Sequence, residues 1–128
     1  MAYKKKLNVL EQKFTIHRFE PSASIPDEII KSKYFWIGKT DEELSVVCES
    51  GISLRSLSSN AGWSVIKIAG PLDFNLVGIL AEITSVLAKA GISIFTLSTY
   101  NTDYILVKKN KLPEAIEALK NEGYVFEK

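Results

Sequence analysis

Six consecutive residues, Ser98-Thr99-Tyr100-Asn101-Thr102-Asp103, put four hydroxyls, an amide and a carboxylate next to one another. Apolar runs flank them, Ile92-Ser93-Ile94-Phe95-Thr96-Leu97 before and Tyr104-Ile105-Leu106-Val107 after. The pattern predicts a β-hairpin with a polar tip. A second stretch, Gly70 to Val77, leads from a strand into a helix. Free backbone N–H groups at a helix start attract anions such as a carboxylate, and Gly78 lets a ligand or a neighbouring chain come close to the backbone. In a βαββαβ unit the strands at Trp63 and Ile92 are expected to be neighbours. Asp103 could then meet an ammonium group while the helix start meets a carboxylate. Opposed charge partners of that kind suit a zwitterion, a free amino acid. Each residue also has an ordinary role: Asp103 bonding its own turn backbone, Gly70-Pro71 turning the chain, Asp73 or Asn75 capping the helix, and Gly78 allowing tight packing on the sheet.

Other chemistry is thinly represented. His17 is the single histidine, sits in an expected strand and lacks the Cys or paired carboxylates of a usual metal-ligand spacing. Cys48 lies in an apolar strand, where a thiol is an inert core group. Glu42-Glu43 reads as a solvated turn pair. There is no Gly-x-Ser-x-Gly sequence and no phosphate-cradling glycine loop. The residues point to no catalytic group, metal or cofactor, and the expectation is a protein that is not an enzyme.

Composition sets the frame. A chain of 128 residues suits one compact domain, or two small structural units sharing a core. The formal charge of +1 argues against a polyanionic partner, so nucleic acid is not expected. The basic run Lys4-Lys5-Lys6 reads as a solvated terminus. One cysteine excludes an internal disulfide. No signal peptide is visible, and no apolar run approaches the roughly 20 residues of a membrane span. The expected setting is cytoplasmic, away from membranes.

The elements that must position the hairpin follow from periodicity. Lys13–Glu20, Tyr34–Ile37 and Leu44–Cys48 read as strands, with a short helix at Pro26–Lys31 and a turn at Gly38–Glu42. Ser50–Ala61 reads as a serine-rich loop, with room for a short helix near Leu54–Ser58. Trp63–Ala69 is the next strand. Leu76, Ile79, Leu80, Ile83, Val86, Leu87 and Ala90 form one apolar stripe of a helix over Leu76–Ala90, with Gly91 as its left-handed cap. A second helix spans Pro113–Glu122, with Ile116 and Leu119 inward and Gly123 after its end. Tyr124-Val125-Phe126 closes the sheet.

The order predicts an α+β class with ferredoxin-like βαββαβ topology in tandem. Residues 1–62 form an incomplete first half and residues 63–128 a complete second one. The halves repeat faintly: Thr40-Asp41 before Leu44-Ser45-Val46-Val47 parallels Thr102-Asp103 before Tyr104-Ile105-Leu106-Val107. The strand at Trp63 has to serve both sheets or lie between them.

Trp63 to Phe74, Gly78-Ile79-Leu80, Ala90 to Phe95 and Ser98 to Val107 together resemble the ACT domain. Within it they resemble the small two-ACT proteins related to cytosolic arginine sensors, and the regulatory part of aspartate kinases. Glu43 to Cys48 is similar to the first-half strand of those small proteins. The resemblance implies a regulatory module that binds amino acids at interfaces between paired domains. It implicates Leu76, Val77 and Gly78 at the helix start, and Thr99, Tyr100 and Asp103 on the hairpin. The arginine sensors have an acidic residue just before the helix glycine, where this chain has Leu76-Val77, so no partner for a basic ligand side chain is implied. The expected partners are an amino-acid ligand, a second copy in a homodimer, and a protein target that the sequence leaves unknown. Trp36, Trp63 and Phe95 are candidates for the dimer face or the core. The alternative is a ligand-free dimerisation module. An RNA-reading sheet would need aromatics flanked by Arg and Lys, and the chain has two arginines, Arg18 and Arg55. An acylphosphatase-like enzyme would need an arginine in Gly70–Leu76, and none is there.

Overall fold

The computed structural model describes residues 6–69 and 78–127. The chain divides into two compact units. Gln12–Trp63 forms one, and the other joins the N-terminal segment through Glu11 to Ser64–Lys128.

In the first unit, β2 (Phe14–Phe19), α1 (Asp27–Ile30), β3 (Phe35–Lys39) and β4 (Leu44–Glu49) lead to the start of β5 (Ser58–Ile68). The strand order is β3-β4-β2-β5, antiparallel throughout. That is the order of a βαββαβ sheet in which β5 is the fourth strand. Phe19, Ile29, Leu44, Val46 and Cys48 form the core on one face. Burial of Ile29 is what holds the four-residue α1, because so short a helix has no stability of its own. Phe14 is fully buried and lies edge-on to Tyr34 and Trp36, with ring centroids 6.0 and 6.1 Å away.

In the second unit, α2 (Ile79–Lys89), β6 (Ile94–Ser98), β7 (Asp103–Lys108), α3 (Leu112–Asn121) and β8 (Val125–Glu127) follow β5. A 3₁₀ turn at Lys109–Lys111 leads into α3. β7 lies between β5 and β6, and β1 (Lys6–Val9) lies between β5 and β8. Here β5 is the first strand of the same topology, so one strand closes the first half and opens the second. Ile66, Ile68, Ile105 and Val107 of the sheet pack against Ile83 and Leu87 of α2 and Ala115 and Leu119 of α3. At roughly 1.5–3 kcal/mol per fully buried aliphatic side chain, this layer holds the helices on one face.

Several expectations change. Ser58–Gly62 is strand, where the sequence reads as loop, and no helix forms at Leu54–Ser58. Ser-Ser-Asn-Ala-Gly has poor strand propensity, and pairing with β2 through Arg18↔Ser58, His17↔Ser59 and Ile16↔Asn60 overrides it. Gly38 and Lys39 belong to β3, not to the turn. Lys6-Leu7-Asn8-Val9 is a strand that the sequence reading did not assign, with Leu7 fully buried and Lys6, of the basic run, exposed. The boundary therefore differs from a simple 1–62 and 63–128 division: Lys6–Glu11 joins the second unit, while the step near Trp63 lies inside β5. The strand at Ile92 does not neighbour the strand at Trp63, because β7 comes between them. α2 begins at Ile79; Leu76, Val77 and the caps Asp73 and Asn75 lie outside the described residues.

Candidate functional site

Register decides where the hairpin side chains point. Ile94 and Val107 pair across β6 and β7, then Thr96 with Ile105, then Ser98 with Asp103. Side chains alternate between sheet faces. Ile94, Ile105 and Val107 all pack into the helix-covered core, so Ser98 and Asp103 project from that same face. The Ser98 hydroxyl donates to Oδ1 of Asp103. The half-buried Asp103 is thus held by a side chain across the hairpin rather than by its own turn.

The tip is braced by backbone and hydroxyls. Thr99 N–H donates to the Thr102 carbonyl at 2.9 Å, and the Thr99 hydroxyl donates to the same oxygen at 3.3 Å. Thr102 is 5% exposed, and its hydroxyl donates to the Ile68 carbonyl at 2.7 Å. That bond ties the hairpin to the end of β5. Tyr100 stands 81% exposed at the tip.

α2 starts at this same end of the sheet. It follows β5, packs on the face that carries Asp103, and finishes where β6 begins its run toward the tip. Gly78 is its N-cap, with φ +89°, and Glu82 N–H donates to the Gly78 carbonyl at 2.9 Å. Among the described residues a Cβ at Gly78 would meet nothing within 4 Å, and its positive φ supplies the left-handed turn into the helix. The N–H groups of Ile79, Leu80 and Ala81 have no acceptor within the helix. Thr99, Tyr100, Asp103 and Gly78 are brought to one end of one unit. Leu76 and Val77 lie outside the described residues.

Two residues escaped the sequence reading of the site. Ser98 anchors the carboxylate, and Thr102 anchors the hairpin. A four-residue hairpin loop pairs the residues just outside it, so the spacing from Ser98 to Asp103 was the available signal for the first. Nothing local signals the second, which depends on β5.

Elsewhere the titratable groups have structural settings. His17 is 5% exposed, and its Nδ1 lies 2.9 Å from the Ser56 hydroxyl. Burial lowers its pKa, and Nε2 has no hydrogen-bond partner among the described residues. The buried Cys48 thiol is pushed up to about 11, mainly by burial, with Glu49 and Glu28 adding to it. Burial and then a hydrogen bond to Glu82 raise Tyr124; its hydroxyl donates to Glu82 Oε1, joining β8's approach to α2. No group of three or more His, Cys, Asp and Glu suited to a metal occurs among the described residues.

A family model described as the ACT domain matches residues 58–121, half of the chain. The chain belongs to the ACT domain family. A second family model, described as an N-terminal domain, matches residues 12–52. The human protein named cytosolic arginine sensor for mTORC1 subunit 1 is 40% identical over 67 residues, which is 52% of this chain and 20% of that protein. The chain thus spans about a fifth of the length of this curated relative. A solved structure from Agrobacterium tumefaciens is 33% identical, covers 98% of this chain and 94% of its own, and superposes with a TM-score of 0.89. Aspartate kinase of Clostridium acetobutylicum, 12% identical, matches 88% of this ACT chain and 33% of its own with a TM-score of 0.67. That likeness is one of fold. Together they establish the ferredoxin-like α+β class.

Proposed function

We propose that this ACT chain is a non-catalytic regulatory protein that binds a free amino acid between the β6–β7 hairpin and the start of α2. The reading rests on one observation: the Asp103 carboxylate leaves the helix-covered face at the end of the sheet where α2 begins. An ammonium group is matched by that carboxylate, and the ligand carboxylate by the first-turn N–H groups that follow Gly78. Thr99 and Tyr100 border the tip, and Leu76 and Val77 precede the helix. The 40% identity to the human arginine sensor supports amino-acid sensing as the class of function. Leu76-Val77 offers a guanidinium no carboxylate, so an amino acid without a basic side chain is the expected ligand. The protein works in the cytoplasm as a homodimer, without nucleic acid, membrane or cofactor. Ligand binding shifts its conformational populations, and a protein target reads that shift.

Thermal unfolding against the twenty amino acids tests this. A ligand at about 100 times its Kd adds roughly 2.7 kcal/mol. A melting shift with one or a few amino acids, abolished in Asp103→Ala, is the expected result. No shift with any of them sinks the proposal and leaves a ligand-free dimerisation module.

A further inference from the structure

We propose that residues 50–57 are an acid-released strap: they lie over the sheet of the first unit where the second unit carries α3, and protonation of His17 lifts them while the second unit stays folded. The connection from β4 to β5 is eight residues, Ser50 to Leu57, with no helix. The connection that matches it, from β7 to β8, holds the ten-residue α3. Along the strap, Ile52, Leu54 and Ser56 are half-buried, and Ser53, Arg55 and Leu57 are exposed. Ile52 and Leu54 pack on the core of Phe19, Ile29, Leu44, Val46 and Cys48. Backbone bonds hold the two ends: Ser50 N–H donates to the Lys13 carbonyl and Leu57 N–H to the Arg18 carbonyl, both at 2.9 Å. Among the described residues, 53–56 form no backbone–backbone hydrogen bond. The middle is left to side chains, the pattern of a segment that opens locally.

Two polar ties cross from the strap to β2. The Thr15 hydroxyl lies 2.8 Å from the Ser50 hydroxyl, and His17 Nδ1 lies 2.9 Å from the Ser56 hydroxyl. Thr15, His17 and Phe19 share one face of β2, and Phe19 belongs to the core. β4 sets Val46 beside His17, β5 sets Ser59 beside it, and the Phe19 ring is 6.1 Å away. No carboxylate is among these neighbours. Arg18 and Glu49 fall on the opposite face of their strands, and Asp27, Glu28, Lys39 and Arg55 are exposed. Cys48, on the same face as His17, stays a neutral thiol. The imidazolium has N–H on both ring nitrogens, and Nε2 has no acceptor among the described residues. A buried charge without compensation is costly, and burial holds the His17 pKa below its ordinary 6.5. Lifting the strap returns the ring to water, so the open form takes up a proton that the closed form does not. The balance between the two is level above about pH 6.5, and opening grows as pH falls from there toward the lowered value. None of these residues belongs to the proposed amino-acid site.

The single thiol of the chain reads the strap, because Cys48 is buried in the core against which Ile52 and Leu54 pack. The probe is dithiodipyridine, which reacts with thiols in mild acid, and the Cys48 rate is divided by that of free cysteine at the same pH. In the full wild-type chain this ratio is expected to rise several-fold, at most about tenfold, between about pH 7.5 and about pH 5.5, with the far-UV spectrum unchanged. Ser56→Ala should react faster than wild type at both pH values. His17→Gln keeps a hydrogen-bonding side chain without the charge and should lose the rise. A wild-type ratio indifferent to pH overturns the strap, as does an equal rise in His17→Gln or a rise that comes with loss of the whole far-UV signal. If His17→Gln does not fold, hydrogen exchange in the wild-type chain decides. Protection corrected for the intrinsic rate should fall over residues 50–57 at the lower pH and hold over α2 and α3; equal loss in all three overturns the proposal.

Discussion

The two hairpins of this chain are built alike and equipped differently. β3 and β6 start 59 residues apart, at Phe35 and Ile94, as do β4 and β7, at Leu44 and Asp103. Thr40 N–H bonds the Glu43 carbonyl at 2.9 Å, and Thr99 N–H bonds the Thr102 carbonyl at 2.9 Å. Thr40 therefore matches Thr99, and Asp41 matches Tyr100. The parallel between Thr40-Asp41 and Thr102-Asp103 is a coincidence of turn composition. Where the second hairpin pairs Ser98 with Asp103, the first pairs Lys39 with Leu44, and Leu44 is 2% exposed within the core. The same backbone thus carries a half-buried carboxylate in one half and a core leucine in the other. The helices differ in the same sense: α1 has four residues and α2 has eleven. At this position the first hairpin fills its core with Leu44, and the second carries the half-buried Asp103 carboxylate.

The sharpest way to break this contrast is to move the carboxylate. Leu44→Asp places an unpaired charge in a closed core and is expected to cost about 3–5 kcal/mol, measured by denaturant unfolding. A loss under about 1 kcal/mol would mean that the two hairpins are interchangeable. The reciprocal Asp103→Leu should fold, since Asp103 is half-buried and bonds the Ser98 hydroxyl alone among the described residues. It should lose the ligand-induced gain, roughly 2.7 kcal/mol at about 100 times Kd, whatever amino acid gives it. A variant that still responds would take the carboxylate out of the site.

Thr40→Ala and Thr99→Ala sharpen the likeness. Thr40 Oγ1 accepts from the N–H groups of Glu42 and Glu43 at 3.1 and 3.2 Å, and the Thr99 hydroxyl donates to Thr102 O. Each substitution should cost about 0.5–1.5 kcal/mol, and similar losses from both would establish that the turns are energetic equivalents.

The pH response separates the halves with the smallest effect near neutrality. Burial lowers the pKa of His17, in the first unit. The unfolded chain takes up a proton as pH falls below about 6.5, while the folded chain does not. Stability is therefore level above that pH and declines below it, down to the lowered folded-state value. His17→Gln should flatten this part of a stability-versus-pH curve; an unchanged slope would place the acid sensitivity elsewhere.

The stripe on α2 is a clear case of what could be read from residues alone. Ile83 and Leu87 are fully buried, and Ile79, Leu80 and Val86 pack against the same core, as helical spacing requires. Ala90 is exposed, because the helix has ended by then and Gly91, with φ +75°, has turned the chain. In α3 the inward positions are Ala115 and Leu119, with Ile116 only half-buried. A four-residue spacing outweighed the larger side chain. Trp63 is buried, Trp36 half-buried and Phe95 36% exposed, a division that aromatic character by itself does not reveal. Ser58–Gly62 was illegible because its residues have poor strand propensity, and Lys6–Val9 because its alternation spans four residues; each forms because a distant strand supplies its hydrogen bonds.

The sequence by itself determined the helices and the paired strands of each hairpin, because periodicity and turn chemistry are local and act within a few residues; the ACT family was legible through the resemblance of its motifs. Only the tertiary structure decided that β5 serves both halves, that β7 rather than β6 lies beside it, and that Thr102 bonds Ile68. It also decided that the Ser98 hydroxyl reaches Asp103 across the second hairpin. These outcomes depend on register between segments far apart in the chain, where a one-residue shift exchanges the two faces of a strand.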